Sequence, residues 1–394
     1  MDIQRTSWPR VALAYVAGVI AALQIGVIAP IVPLLQKDLD LSLPFVGAIL
    51  SCVTLMAVVL GTVAGTWTNR FGLVRAIVWG LALMAAAAAL AALARGGAML
   101  LAIRALAGLG YLLTVVACPP LIARIAAERD RGFALALWGS FLPVGIALAD
   151  AGSAGLLDTV GWRGLFWIDA ALTGAVALAA ALGLRGQAPG VAHDAATPGL
   201  LAIYRMRAPL LLMISFGIFT FTFIVFAAVE PAYLAEARAM PLAEAGRLAA
   251  LTTMAAIPGS LLAGWLIRRG QSTVALAWVG IIVPAALSVA VFTPVLPNGP
   301  VVAAAVAALL FGAFSPAATY ALIPRIDPDP LHFAPINGLL MQFGSLGTLI
   351  GPPIVGAWAV HLGWATAPIL LLALAAGGIA CLIEVRRRAL VSPR

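Results

Sequence analysis

Four ionisable side chains stand inside or at the ends of long apolar stretches: Arg104 in LLAIRALAGLGYLL, Asp150 and Asp169 on either side of a Gly-Trp-Arg turn, and Glu230 just ahead of Pro231. A charge in such a setting costs several kcal/mol unless it faces water or a partner. The chemistry these types offer is proton handling, because a carboxylate beside a buried guanidinium can switch its protonation. Arg104 lies about one and a half turns from one end of its helix; at ~1.5 Å per residue, Asp150, about two turns from the end of the next, reaches nearly the same depth. Asp150 is therefore the first candidate to pair with Arg104, ahead of Asp169 and Glu230. Those two lie close enough to helix ends that solvation is their expected fate. The alternative for Arg104 itself is snorkelling to the interface.

Amides and rings complete the set. Gln24 falls in the first apolar stretch and Gln342 in a late one; Gln342 either hydrogen-bonds a bound solute or fastens two helices together. Phe219, Phe223 and Phe226 share a helix face by i, i+4, i+7 spacing, and Phe314 and Tyr320 add rings further along. The only lysine is Lys37, so no phosphate-cradling loop with its lysine exists and ATP drive has no support. The apolar stretches hold no clustered His, Glu and Cys for metal or nucleophilic work, so neither an enzyme nor a metal nor a cofactor is expected. Cys52, Cys118 and Cys381 imply no disulfide framework.

The elements that must carry these residues are membrane helices. Of 394 residues, 63% are hydrophobic and 10% charged, with mean hydropathy +1.09; ordinary soluble chains carry about a quarter charged residues. At ~20 residues per crossing the chain holds about twelve. They are expected near residues 11–36, 45–67, 75–93, 99–123, 133–157, from 161 on, 209–229, 242–267, 273–292, 301–323, 333–360 and 364–383. Pro30 and Pro33 suggest a kink or break in the first helix. That helix lacks a small-residue cleavage pattern and reads as a retained span. The net charge of +8 would suggest nucleic acid in a soluble chain. Here the basic residues fall in loops. Counting loops alternately puts Lys37, Arg95, Arg163, Arg238 and Arg247 outside and Arg104 within a span, leaving 17 of the 23 inside, which sets both termini in the cytoplasm. Residues 186–198, rich in Gly, Pro and Ala and containing His193 and Asp194, read as a linker.

One stretch recurs. In GTVAGTWTNRFGLVR, Gly61 and Gly65 end an apolar helix on a small-residue face, Arg70 and Arg75 flank a turn, and Gly72 permits the reversal. About two hundred residues on, Ser260 and Gly264 precede Arg268, Arg269 and Gly270 in the same order. The first copy resembles the loop between helices 2 and 3 of the major facilitator superfamily, with Asn69 in place of the usual Asp and Trp67 in place of Leu. Arg104, Gly108 and Gly110 resemble the R-x-x-x-G-x-G signature of its twelve-helix drug:proton antiporters, with Ala107 where Gln is common. Gly139, Pro143 and Gly145 match the helix 5 signature in part. Gly161-Trp162-Arg163 with Phe166 resembles the family's start of helix 6.

That resemblance implies an all-α polytopic membrane protein of twelve transmembrane helices in two pseudo-symmetric six-helix bundles, residues 1–185 and 209–394, joined by a cytoplasmic linker at 186–208. It implies rocking of the two halves around a cavity lined by helices 1, 4, 7 and 10, which makes Gln24, Arg104, Phe219, Phe223, Phe314 and Tyr320 candidate lining residues, with Gln342 a further candidate for the substrate cavity. Gly65, Asn69, Arg70, Gly72, Arg75, Gly264, Arg268 and Arg269 would form the gating loops, and Arg104 would assist proton coupling. The expected function is secondary active transport of a small organic solute across the inner (plasma) membrane by a monomer, with protons, solute and lipid as its partners and no nucleic acid. An uncharged, aromatic second half favours proton-coupled export of an amphiphilic or aromatic compound. The alternative is uptake of a small organic anion on Arg104, and a non-transporting membrane sensor is the reading from outside this class.

Overall fold

The computed structural model describes residues 5–186 and 199–391. His193, Asp194 and most of the expected linker lie outside the described residues. The short helix Leu200–Arg205 leads from it into the second half. Among the described residues the regular structure is all helix, with no strand. Among these residues eleven helices are long and apolar enough to cross a membrane, and the bent pair Glu128–Trp138 and Phe141–Ser153 makes a twelfth if counted as one span.

In chain order the spans are α1 (Trp8–Leu39), α2 (Pro44–Phe71), α3 (Leu73–Ala92), α4 (Gly97–Ile125), α5 (the bent pair), α6 (Gly155–Gly183), α7 (Arg207–Glu236), α8 (Glu244–Arg268), α9 (Thr273–Phe292), α10 (Asn298–Ile326), α11 (Pro330–Leu362) and α12 (Trp364–Arg388). Local chemistry sets their ends and breaks. A single residue, Gly72 at φ 90°, separates α2 from α3, a conformation open to glycine and costly for other residues. Gly161, at φ 65°, puts a kink inside α6, near its start. In α1 the regular helix stops at Gly26 and resumes at Val32 after a 3-10 turn containing Pro30. Large apolar side chains stand exposed along the spans, Trp79 at 71% and Leu178 and Ile369 at 62% each, as a lipid-facing surface requires.

The chain divides into two compact units. The first comprises residues 1–131, 141–203 and 329–342, and the second residues 132–140, 204–328 and 343–394. So α5 and α11 each contribute to both: residues 330–342 of α11 belong with α1 to α4 and α6, and residues 132–140, in the first half of α5, belong with α7 to α10 and α12.

In the first unit, Ile28, Ile31 and Leu35 of α1 pack with Ile49, Ala87, Leu100, Ile103 and Phe166 in one buried cluster. One end of it is fastened by Trp162, whose indole N–H donates to Asp38 at 2.8 Å, and by Arg163, which pairs with Asp38 at 3.6 Å and lies 4.1 Å over the Trp162 ring. Trp162 is thus buried at 3% exposure, whereas Trp167 is half exposed. In the second unit, Phe226 and Tyr233 of α7 pack with Phe292, Val301, Leu309 and Leu371. Arg238 donates to Asn298 at 2.8 Å and to the carbonyl of Leu296 there.

Candidate functional site

The break in α1 prepares the site. Regular helix ends at Gly26, so the carbonyl of Gln24 is among the last four, which lack a partner within the helix. Arg104 of α4 supplies one: its Nη2 donates to the Gln24 carbonyl at 2.6 Å. The Gln24 side chain then donates from Nε2 to Oδ2 of Asp169 at 2.6 Å, and Thr173, one turn further along α6, donates to Oδ1 at 3.1 Å. All four are buried, Arg104 at 2%, Gln24 at 1%, Asp169 at 3% and Thr173 at 0% exposure. Cation and carboxylate are within electrostatic reach and are joined through one glutamine, with Cys52 also near the guanidinium. The Nε of Arg104 has no hydrogen-bond partner. The network can therefore hold a guanidinium and a carboxylate together in an apolar bundle, and a proton on Asp169 would change its net charge by one.

Two expectations are corrected here. Asp150 does not pair with Arg104: it is exposed. Its neighbour Ala149 is the residue that turns inward, against Gly26 of α1. One residue is a rotation of ~100° on a helix, enough to point Asp150 away. Asp169, expected to be solvated, is instead the buried partner.

Glu230 is a third departure. Expected at a solvated mouth, it is fully buried, with neither carboxylate oxygen hydrogen-bonded. The helix does not end at Pro231. A π turn over Val225–Val229 precedes Glu230, and regular helix continues from Glu230 to Glu236. Pro231 falls in the first turn of that segment, where its missing N–H is not needed. Glu230 thereby shares the face of Phe226 and Tyr233. Buried charge is not confined to the first half of the chain.

The aromatic residues form a connected row in the second unit. Phe216 and Phe219 lie 5.7 Å apart, Phe219 and Phe223 5.9 Å, and Phe216 and Tyr320 6.4 Å. Trp138, from the first turns of α5, meets Tyr320 edge-on at 6.4 Å. Phe314 instead pairs with Phe311, at 5.5 Å.

Gln342 fastens helices together: its Nε2 donates to the Val58 carbonyl at 2.8 Å, and its Oε1 accepts from Thr62. Asn69 donates to the carbonyl of Leu331, and Asn337 donates to those of Val115 and Val116 at 3.1 and 3.0 Å. Gly65 leaves so little room that a Cβ there would sit 2.5 Å from the Ala334 carbonyl oxygen. In the second unit the repeated segment meets the first turns of α5. A Cβ on Gly264 would lie 3.2 Å from Ala136, and Arg268 lies 5.7 Å from the Phe133 ring. Arg269 covers Trp265 at 3.8 Å. Arg70 and Arg75 are exposed.

Residues 14–324 match the family described as the Major Facilitator Superfamily. The chain belongs to the Major Facilitator Superfamily. It is a multi-pass membrane transporter, not an enzyme. This superfamily member is 28% identical over 165 residues to an uncharacterized MFS-type transporter of Mycobacterium tuberculosis and 29% identical over 166 residues to multidrug resistance protein 1 of Bacillus subtilis. Each alignment covers 42% of this chain, and 28% and 42% of the respective relatives, so less than half of either relative is spanned. The crystal structure of the human organic anion transporter MFSD10 (TETRAN) superposes with a TM-score of 0.81 over 96% of this chain and all of that one, at 14% identity, a likeness of fold.

Thr173 and Trp138 went unnoticed in the sequence of this superfamily member. Thr173 stands at i+4 from Asp169, the spacing that puts two side chains on one helix face, so a signal was there once Asp169 was known to point inward. Trp138 carried none, since nothing local says that the first turns of α5 pack with α10.

Proposed function

We propose that this transporter is proton-coupled and that the Arg104, Gln24, Asp169 and Thr173 network is where the proton binds. The observation that carries the reading is the buried guanidinium and carboxylate joined through one amide. With Asp169 ionised, the network has charges of +1 and −1 and sums to zero. With Asp169 protonated, it carries one net positive charge in an apolar bundle, a state that costs several kcal/mol unless water or another anion reaches it. Loading and release of the proton thus favour different exposures of the site, and a difference in free energy between two conformations is what shifts their populations. Alternating access through the inner membrane, with both termini cytoplasmic, would couple that shift to solute movement.

Export of an amphiphilic or aromatic compound is supported by the row of rings from Phe216 to Phe223 and Tyr320, and by the multidrug resistance protein among the relatives. Uptake of a small organic anion has one observation in its favour, the unpartnered Nε of Arg104. Purified protein in liposomes with an imposed pH gradient tests the coupling. Asp169→Asn is expected to abolish uphill transport while leaving downhill exchange of the same solute intact. Gradient-driven accumulation that survives in Asp169→Asn removes Asp169 as the proton carrier. Inhibition by simple carboxylates that is lost in Arg104→Lys would favour the anion reading.

A further inference from the structure

We propose that the arginine-bearing end of α7 and α12, together with the apolar groove that leads away from it, binds an anionic phospholipid. Arg207 and Ala208 at the start of α7 and Glu384, Arg387 and Arg388 at the end of α12 line an open recess of about 530 Å3. Three guanidinium groups against one carboxylate leave a net charge of +2. Glu384 pairs with Arg387 at 3.4 Å and with Arg388, which fixes the two side chains one turn beyond it. Each guanidinium has five N–H donors. Arg387 and Arg388 keep side-chain exposures of 76% and 44%, and Arg207 is exposed. The recess is therefore an open cationic cup, suited to a phosphodiester.

Further along the same two helices lies a second, apolar groove of about 220 Å3, lined among others by Ile214, Ile218 and Phe221 of α7, Leu346 of α11, and Leu370 and Leu374 of α12. Both cavities lie in the second unit and share α7 and α12. On α7, Arg207, Ile214, Ile218 and Phe221 fall at i, i+7, i+11 and i+14, one face of a helix. On α12, Leu370, Leu374, Glu384 and Arg388 fall at i, i+4, i+14 and i+18. The cup and the groove thus continue each other along the same seam. At ~1.5 Å per residue the groove opens about 10 Å in from Arg207 and reaches about 21 Å, and one leaflet of hydrocarbon is about 15 Å deep. A lipid with its phosphate at the arginines would lay the far half of an acyl chain in the groove. A zwitterionic lipid carries its own cation beside the phosphate and gains less from the +2 cup. A free phosphate makes no use of the groove.

Full-length protein in nanodiscs of phosphatidylcholine with a rising share of phosphatidylglycerol, the acyl chains matched, tests this by native mass spectrometry of the lipid retained. Phosphatidylglycerol should be retained preferentially. Each arginine removed should lower the preference about fivefold, so that Arg207→Gln with Arg387→Gln loses most of it. Arg387→Lys keeps the charge and should keep the preference. Ile218→Trp, which fills the groove, should weaken both lipids and leave their ratio unchanged, and soluble glycerol phosphate should not compete. Equal retention of the two lipids, an undiminished preference in the double variant, or competition by glycerol phosphate would each overturn the proposal. If the double variant fails to fold, Arg387→Gln compared with Arg387→Lys gives the same reading. None of these readouts depends on transport.

Discussion

Arg104 is tolerated in an apolar helix because it satisfies a carbonyl that the α1 break leaves open and lies within reach of Asp169. Removing one member of a buried charge pair leaves the other uncompensated, typically a loss of about 3–5 kcal/mol. Arg104→Ala is therefore expected to lower the unfolding temperature of the purified protein. Adding Asp169→Asn to it should recover part of the loss, since the isolated carboxylate is then gone. A double variant no more stable than Arg104→Ala would mean that the two groups do not interact. Arg104 was conspicuous in the sequence, as any charge among Leu and Ala is. Its partner was not, because Asp150 and Asp169 have similar depth and depth is all that counting residues supplies. Which of them turns inward depends on how α5 and α6 rotate about their axes, and on α5 it is Ala149, not Asp150, that packs on Gly26.

At the scale of elements, the repeated glycine and arginine segments of α2 and α8 look equivalent in sequence but are packed unequally. A methyl group on Gly65 would meet a backbone carbonyl at 2.5 Å, which cannot move without shifting α11. On Gly264 it would meet side chains at 3.2 and 3.3 Å. Gly65→Ala should therefore cost about 1–3 kcal/mol, in the range of overpacking, and Gly264→Ala clearly less. Thermal unfolding of the two variants, compared directly, decides it, and equal costs would refute the argument. Asn69 carries a related prediction. Its amide donates to the Leu331 carbonyl, whereas a carboxylate only accepts. Asn69→Asp, although it restores the residue usual in the family, should destabilise by about 1–3 kcal/mol. An unfolding temperature at or above that of the parent would show that the amide bond is dispensable. The sequence revealed these segments and their repetition. It could not reveal that their partners are the first turns of α11 and α5, because those contacts join residues more than a hundred positions apart.

Across the whole molecule, composition alone was enough to recognise a membrane protein of about twelve spans, because hydropathy is a sum over residues and survives ignorance of every contact. The placement of charge was not readable in that way. Each unit buries ionisable groups, but in opposite fashion: the first holds Arg104 and Asp169 in a hydrogen-bonded network, and the second holds Glu230 with no partner for either oxygen. An end-of-helix reading at Pro231 concealed the second, although Glu230 falls at i+4 from Phe226 on a face already marked as apolar. Two isosteric substitutions should therefore act with opposite sign. Asp169→Asn leaves Arg104 without its counter-charge and should destabilise. Glu230→Gln removes a carboxylate that nothing compensates, so it should match or exceed the stability of the parent. Unfolding temperatures of both variants in the same detergent at neutral pH measure the difference. A marked loss in Glu230→Gln would mean that this carboxylate has a partner in solution, and the two units would then bury charge in the same way.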